Sequence, residues 1–231
     1  MRITLITGGN KGLGFEAARR LVSEGHKVYI GARDKDRGQT AAKKLAAHFV
    51  QLDVTSDTSV NAAAAAIMNL EGHLDILINN AGISGGMIKP EDLTADLIKQ
   101  TYETNVFGIV RVTHAFLPLL KKSKAPVIVN VSSGLGSFAK VLNPETIESK
   151  VHVAHYNSSK SAVNMITLQY ANTLPEIRIN CVDPGYTATD LNHNSGPQTV
   201  TEGTDAIVKM ALVTKDGPTG TFSDRKGILG W

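Results

Sequence analysis

The stretch Thr7-Gly8-Gly9-Asn10-Lys11-Gly12-Leu13-Gly14 constrains this chain more than any other. It follows an apolar run, Ile3 to Ile6, that reads as a buried strand. It precedes Leu13, Ala17, Ala18 and Leu21, whose spacing puts one apolar face on a helix. Glycines at a strand-to-helix turn permit a backbone path that side chains would block. The helix start beyond them offers free N–H groups and a partial positive charge, which suits a phosphate. The spacing is Gly-x-x-x-Gly-x-Gly and differs from the G-x-G-x-x-G dinucleotide fingerprint. A glycine-rich turn that binds nothing is the competing interpretation.

Strand and helix signals then alternate along the chain. Apolar runs at Lys27 to Ala32, Phe49 to Leu52, Leu74 to Ile78, Val127 to Val131 and Ile177 to Val182 read as further strands, and Gly220-Thr221-Phe222 as a short last one. Between them lie helical patterns: one capped by Asp34, an alanine-rich one around Ala62 to Ala66, two consecutive ones within Leu93 to Leu120, Tyr156 to Leu174, and Thr204 to Leu212. Each strand is apolar throughout, as expected when helices cover both faces of a parallel sheet. The pattern predicts an α/β fold of Rossmann type, a doubly wound, mostly parallel sheet of about seven strands with helices on both faces. No repeat or linker interrupts it, so residues 1–231 are expected to form a single domain. Ligands in such sheets bind beyond the carboxyl ends of the strands, where Gly8, Arg33, Asp53, Asn80, Ser133 and Pro184 converge.

Composition excludes several classes. The net charge is +3, with no basic cluster interleaved with aromatics, so a nucleic-acid partner is not expected. A single cysteine, Cys181, rules out an internal disulfide and points to a reducing compartment. The longest apolar run is too short to span a bilayer, and the chain enters a strand almost at once instead of opening with a signal peptide. A cytoplasmic location with no membrane association is the expectation.

The second strand ends Gly31-Ala32-Arg33-Asp34. An acidic side chain at this place would bind the hydroxyls of an adenosine ribose. Ala32 stands there instead, and the Arg33 guanidinium can form two charge-assisted bonds to a 2′-phosphate, with Lys11 adding charge nearby. The cofactor expected is NADP(H). The competing interpretation has Arg33 as a solvated surface residue and Asp34 on the ribose. Asp53 either accepts from an adenine amino group or caps the following helix.

Tyr156 and Lys160 stand four apart, on one helical face. A neighbouring ammonium favours the phenolate and lowers a tyrosine pKa. The pair can therefore give a proton to a developing alkoxide or take one from an alcohol, with the Ser133 hydroxyl polarising the carbonyl.

With these residues in place, the sequence resembles the short-chain dehydrogenases/reductases over essentially its whole length. Thr7-Gly8-(x)₃-Gly12-x-Gly14, Asp53, Asn79-Asn80-Ala81-Gly82, Asn105, Ser133, Tyr156-(x)₃-Lys160 and Pro184-Gly185 follow the family's order. Within it, Val129 to Ser133 and Asp183 to Leu191 look most like the NADPH-dependent carbonyl reductases. The resemblance implies Tyr156 as general acid and Lys160 as the group that lowers its pKa and binds the nicotinamide ribose. It implies Ser133, rather than Ser132, as the residue that orients the carbonyl. It also implies that Asn105 holds a water linking Lys160 to solvent. Gly8, Asn10, Lys11, Gly12, Leu13, Gly14, Arg33, Asp53, Val54, Asn80, Ala81, Gly82, Pro184, Gly185, Thr187 and Thr189 would line the cofactor.

Ser133 and Tyr156 lie 23 residues apart, more than in many members. The added stretch, 140–153, is expected to narrow the pocket, block dimer contacts or do both, and the chain to be a monomer or small homo-oligomer. Phe138, Tyr186 and Leu191 are candidate walls of the substrate pocket, and 186–200 a candidate lid. His152 and His155 lack a third ligand at a convincing spacing, so no metal site is expected. Trp231 either closes a pocket or covers the sheet edge. The leading expectation is NADPH-dependent reduction of ketones or aldehydes. An NAD-dependent alcohol dehydrogenase and a non-catalytic NADP(H) sensor are the alternatives.

Overall fold

The computed structural model describes all 231 residues. Its strands are β1 (Ile3–Thr7), β2 (Lys27–Ala32), β3 (His48–Gln51), β4 (Ile76–Asn79), β5 (Val127–Val131), β6 (Arg178–Val182) and β7 (Phe222–Ser223). They form one sheet in the order β3-β2-β1-β4-β5-β6-β7, and every neighbouring pair is parallel. The helices are α1 (Gly12–Ser23), α2 (Lys35–Leu45), α3 (Asp57–Glu71), α4 (Ala95–Tyr102), α5 (Gly108–Leu120), α6 (Phe138–Val141), α7 (Ala154–Thr173), α8 (Val200–Gly203) and α9 (Asp205–Ala211).

The uninterrupted apolar strands have a direct cause. Successive side chains point to opposite faces of a strand, and both faces here are buried. Ile6, Val28, Ile30, Val127, Val129 and Val131 join α1, α2 and α9 in one core. Ile3, Leu5, Tyr29, Leu77, Ile128 and Ile179 join α3, α5 and α7 in the other. The order of strands reverses between β1 and β4, which places a crevice beyond their carboxyl ends.

Side chains set several boundaries. Asp34 Oδ1 accepts from Arg37 N–H at 2.9 Å and starts α2. Ser56 Oγ accepts from Ser59 N–H at 3.2 Å and starts α3, so the helix cap considered for Asp53 belongs to Ser56. The fourth strand begins at Ile76 rather than Leu74, because Leu74 N–H is drawn to Leu119 O. The two helices expected within 93–120 are joined by one π turn, Glu103–Phe107, which carries Asn105. Trp231 covers the sheet edge: its ring stacks on Phe222 at 5.7 Å, and its carbonyl accepts from Ala139 N–H at 3.0 Å. No helix is long and apolar enough to cross a membrane.

Candidate active site

The glycine turn is shaped by contact. Gly8 and Gly12 have φ of +65° and +54°, where L side chains are strained. A Cβ on Gly14 would stand 2.5 Å from Asn80 Nδ2 and 2.6 Å from Gly8 O, so the turn closes there only without one. A Cβ on Gly12 would meet Thr189 Cγ2 at 3.8 Å, an ordinary contact, so there the positive φ rather than a clash calls for glycine.

The segment after β4 is tied to this turn. Thr7 Oγ1 accepts from Asn80 N–H and Ala81 N–H, both at 3.0 Å. Asn80 Nδ2 donates to Thr7 O at 2.9 Å. Asn80 thus serves the architecture through its side chain and leaves its neighbours Ala81 and Gly82 facing the crevice. A Cβ on Gly82 would lie 3.3 Å from Asn105 Oδ1 and 3.8 Å from Lys160 Nζ. Asn105 is fully buried; it accepts from Ile83 N–H at 2.9 Å and donates to Ile83 O at 2.9 Å and Ser159 Oγ at 3.0 Å. Its side chain locks the post-β4 segment to the helix that bears Tyr156.

The two serines after β5 face opposite ways. Ser132 is buried and donates to Asn164 Oδ1 at 2.5 Å, inside the protein. Ser133 Oγ starts the turn Gly134–Gly136 by accepting from Leu135 N–H at 3.2 Å, and its hydroxyl pulls the Tyr156 phenol towards the phenolate. One helical turn on, Lys160 Nζ lies 5.6 Å from the centre of the Tyr156 ring and donates to Val131 O at 2.9 Å.

Burial governs both charges. It pushes Tyr156 up to about 12, with Ser133 pulling down and the Asp183 carboxylate pushing up. It brings Lys160 down to about 8, against the carboxylate of Asp183 and the Cys181 sulfur. The expected lowering of the tyrosine by the lysine does not emerge: desolvation, which disfavours the charged form, dominates at each group, and only Ser133 pulls the tyrosine down.

The nucleotide end is basic but not only through Arg33. Arg33 is exposed at the end of β2 and makes no ion pair, while Asp34 is engaged as the α2 cap. A cleft of about 430 Å³ beside the glycine turn is lined by Asn10, Lys11, Arg37 and Lys44 together with Asp36 and Asp190. Arg37 and Lys44 escaped the sequence reading, although their positions three and ten residues after Asp34 were available in it. Lys11 Nζ meets Asp190 Oδ2 at 3.0 Å across the cleft mouth.

Asp53 Oδ1 accepts from Thr55 N–H at 3.0 Å, and the Val54 carbonyl accepts from Arg111. Beyond β6, Pro184 O accepts from the Thr187 hydroxyl at 3.1 Å, Gly185 has φ +72°, and Thr189 lies over Gly12. The 186–200 stretch is an internally bonded loop, stapled at its base by Ala188 N–H to Gln198 O at 3.0 Å. Phe138, Tyr186 and Leu191 are all exposed, with 69, 45 and 44% of their area free. His155 is buried against Ser84 O at 3.1 Å, while His152 is exposed, so the two do not form a pair.

A family model described as short chain dehydrogenase matches residues 2–199. (+)-Neomenthol dehydrogenase of Capsicum annuum is 32% identical, covering 98% of this chain and 96% of that protein. Salutaridine reductase of Papaver bracteatum is 33% identical, over 97% and 94%. The first alignment extends over 303 positions, so the relative has segments that this 231-residue chain lacks. Among solved structures, salutaridine reductase of Papaver somniferum superposes with a TM-score of 0.85 at 32% identity, over 97% of this chain and 99% of that one. NADPH-bound carbonyl reductase from chicken fatty liver superposes with a TM-score of 0.89 at 27% identity, over the full length of both. The chain is a member of the short-chain dehydrogenase/reductase family of oxidoreductases.

Proposed function

We propose that this protein reduces a ketone or aldehyde to an alcohol with NADPH, with Tyr156 as general acid. The observation that carries this reading is the Lys160 Nζ held 5.6 Å from the centre of the Tyr156 ring, with Ser133 acting on the phenol and Ser132 turned inward. The dinucleotide fits the residues present: the positive φ of Gly8 and Gly12, the tight Gly8–Gly14 approach at the start of α1, and the Lys11, Arg37 and Lys44 side chains in the adjoining cleft suit its phosphates. Gly8 to Gly14 would hold the pyrophosphate and Ala81 and Gly82 the middle of the molecule. Asp53 and Val54 would hold the adenine end, and Pro184, Gly185, Thr187 and Thr189 the nicotinamide end. When bound, the nicotinamide supplies the hydride.

The protein's residues manage the proton. A phenol held at about 12 is fully protonated at neutral pH and ready to give its proton to a carbonyl oxygen. Ser133 donates to the carbonyl oxygen and then to the phenolate that Tyr156 becomes. The Lys160 ammonium stabilises that phenolate, and Asn105 fixes the helix and the post-β4 segment around it. The preference for NADPH rests on the unpaired Arg33, with Lys11, Arg37 and Lys44 around the adjoining cleft. The carbonyl-reductase and neomenthol-dehydrogenase relatives agree with this substrate class.

Turnover with NADPH and NADH across ketones, aldehydes and quinones tests the reading. NADPH is expected to be preferred, and Arg33→Ala to erode that preference by raising the Michaelis constant for NADPH. Equal use of NADH by the unaltered protein would overturn the cofactor assignment.

A further inference from the structure

Lys140, at the start of the added 140–153 stretch, sits in a junction that the reaction scheme above does not use. Its Nζ is 2.8 Å from Glu148 Oε1 and 2.9 Å from Asp183 Oδ2. Asp183 is 3% exposed and lies at the end of β6, where its other oxygen accepts from Gly185 N–H at 2.9 Å. The junction closes over Gly134, the residue after Ser133: a Cβ there would collide with Glu148 Oε1, Asp183 Oδ2 and Lys140 Nζ together. Ser137 Oγ accepts from Lys140 N–H at 3.1 Å and sets the short α6 that aims the side chain inward.

We infer that Lys140 is a positioning residue: by pairing with Asp183 and Glu148 it clamps the added stretch onto the Ser133 loop and sets the field felt by Tyr156 and Lys160. The inference rests on the reading of Tyr156 and Lys160 given above. Asp183 acts on both of them, raising each. Burial lowers Lys140 itself, but Asp183 and Glu148 more than offset this and leave its pKa raised, so it stays charged across the working range. The titratable groups beside Lys160 are Tyr156 on α7 and Cys181 and Asp183 at β6, and Lys140 and Glu148 in the added stretch are linked to it through Asp183. The π turn presents neutral Asn105. Lys140 is thus the cation that offsets an otherwise uncovered Asp183 beside the proton-transfer pair.

The test uses two substitutions that break the same ion pair and should move Lys160 in opposite directions. Lys140→Met uncovers Asp183 and is expected to raise the Lys160 pKa by on the order of one unit. Asp183→Asn keeps an oxygen for Gly185 N–H, leaves Lys140 less balanced and is expected to lower it. The double variant should return near the starting value, and Lys140→Arg should hold it. The readout is the ε-carbon shift of Lys160 against pH in ¹³C-lysine-labelled protein, assigned by its absence in Lys160→Arg. The alkaline limb of turnover is followed in parallel. A purely structural clamp would lower turnover in both variants without opposed shifts, and shifts of the same sign, or none, would overturn the inference. Because the carbon shift needs no turnover, opposed shifts in a protein that reduces no carbonyl would sink the proposed function and leave the field assignment standing.

Discussion

Asn105→Ala removes a side chain that is fully buried and makes three hydrogen bonds, two to the Ile83 backbone and one to Ser159 Oγ. At about 1 kcal/mol for each bond, the loss comes to ~3 kcal/mol. For a chain of this length that corresponds to a fall in Tm of roughly 6–12 °C. Thermal unfolding followed by far-ultraviolet circular dichroism measures it directly. The variant should also lose turnover, because Ile83 anchors the segment carrying Ala81 and Gly82 while Ser159 lies in the helix between Tyr156 and Lys160. Asn105→Asp keeps the acceptor for Ile83 N–H, loses both donated bonds and buries a charge, so it should be at least as destabilised. A fall in Tm below about 2 °C for Asn105→Ala would refute the view that this side chain, rather than the π turn around it, holds the two segments together.

Other expectations follow from the same geometry. Lys160→Met should abolish turnover yet raise stability at neutral pH by roughly 1–3 kcal/mol, because it removes a buried charge whose pKa is held at about 8. The sign is specific: the unfolded lysine stays protonated to 10.5 and the folded one only to about 8, so the cost is full below pH 8 and fades as pH rises between the two values. Urea unfolding at pH 7 and pH 10 should show the gain at the lower pH and little of it at the higher. Carbonyl reduction should decline as pH rises through about 8, where Lys160 loses its proton, while Tyr156 remains an acid well above that. Gly14→Ala should weaken NADPH binding at least tenfold in a fluorescence titration, since its Cβ meets backbone at Gly8 O as well as Asn80.

The sheet was readable because both of its faces are buried, so its strands needed no alternation to be recognised; β2 and β5 begin and end where their apolar runs do. The expectation that Gly8, Arg33, Asp53, Asn80, Ser133 and Pro184 gather at one sheet edge came from the same pattern, since each lies at or just beyond a strand end. What escaped depends on contacts between distant parts of the chain. The π turn has no composition of its own, and Asn105 shows its importance only through Ile83 and Ser159. Lys140 reads as an ordinary surface lysine until Asp183, 43 residues later, is brought against it. The relation between Tyr156 and Lys160 was read from spacing and from the family resemblance, neither of which says how strongly burial acts on each group. Phe138, Tyr186 and Leu191 were chosen for proximity to motifs, a cue that carries no information about burial, and all three are exposed.

The most direct test compares the unaltered protein with Tyr156→Phe, measuring NADPH binding and carbonyl-dependent NADPH oxidation in the same preparations. The expected result is unchanged NADPH affinity with turnover reduced at least ~100-fold, the loss typical of a missing general acid. Turnover by Tyr156→Phe at the unaltered rate would contradict the assignment of the proton to Tyr156 and, with it, the proposed mechanism.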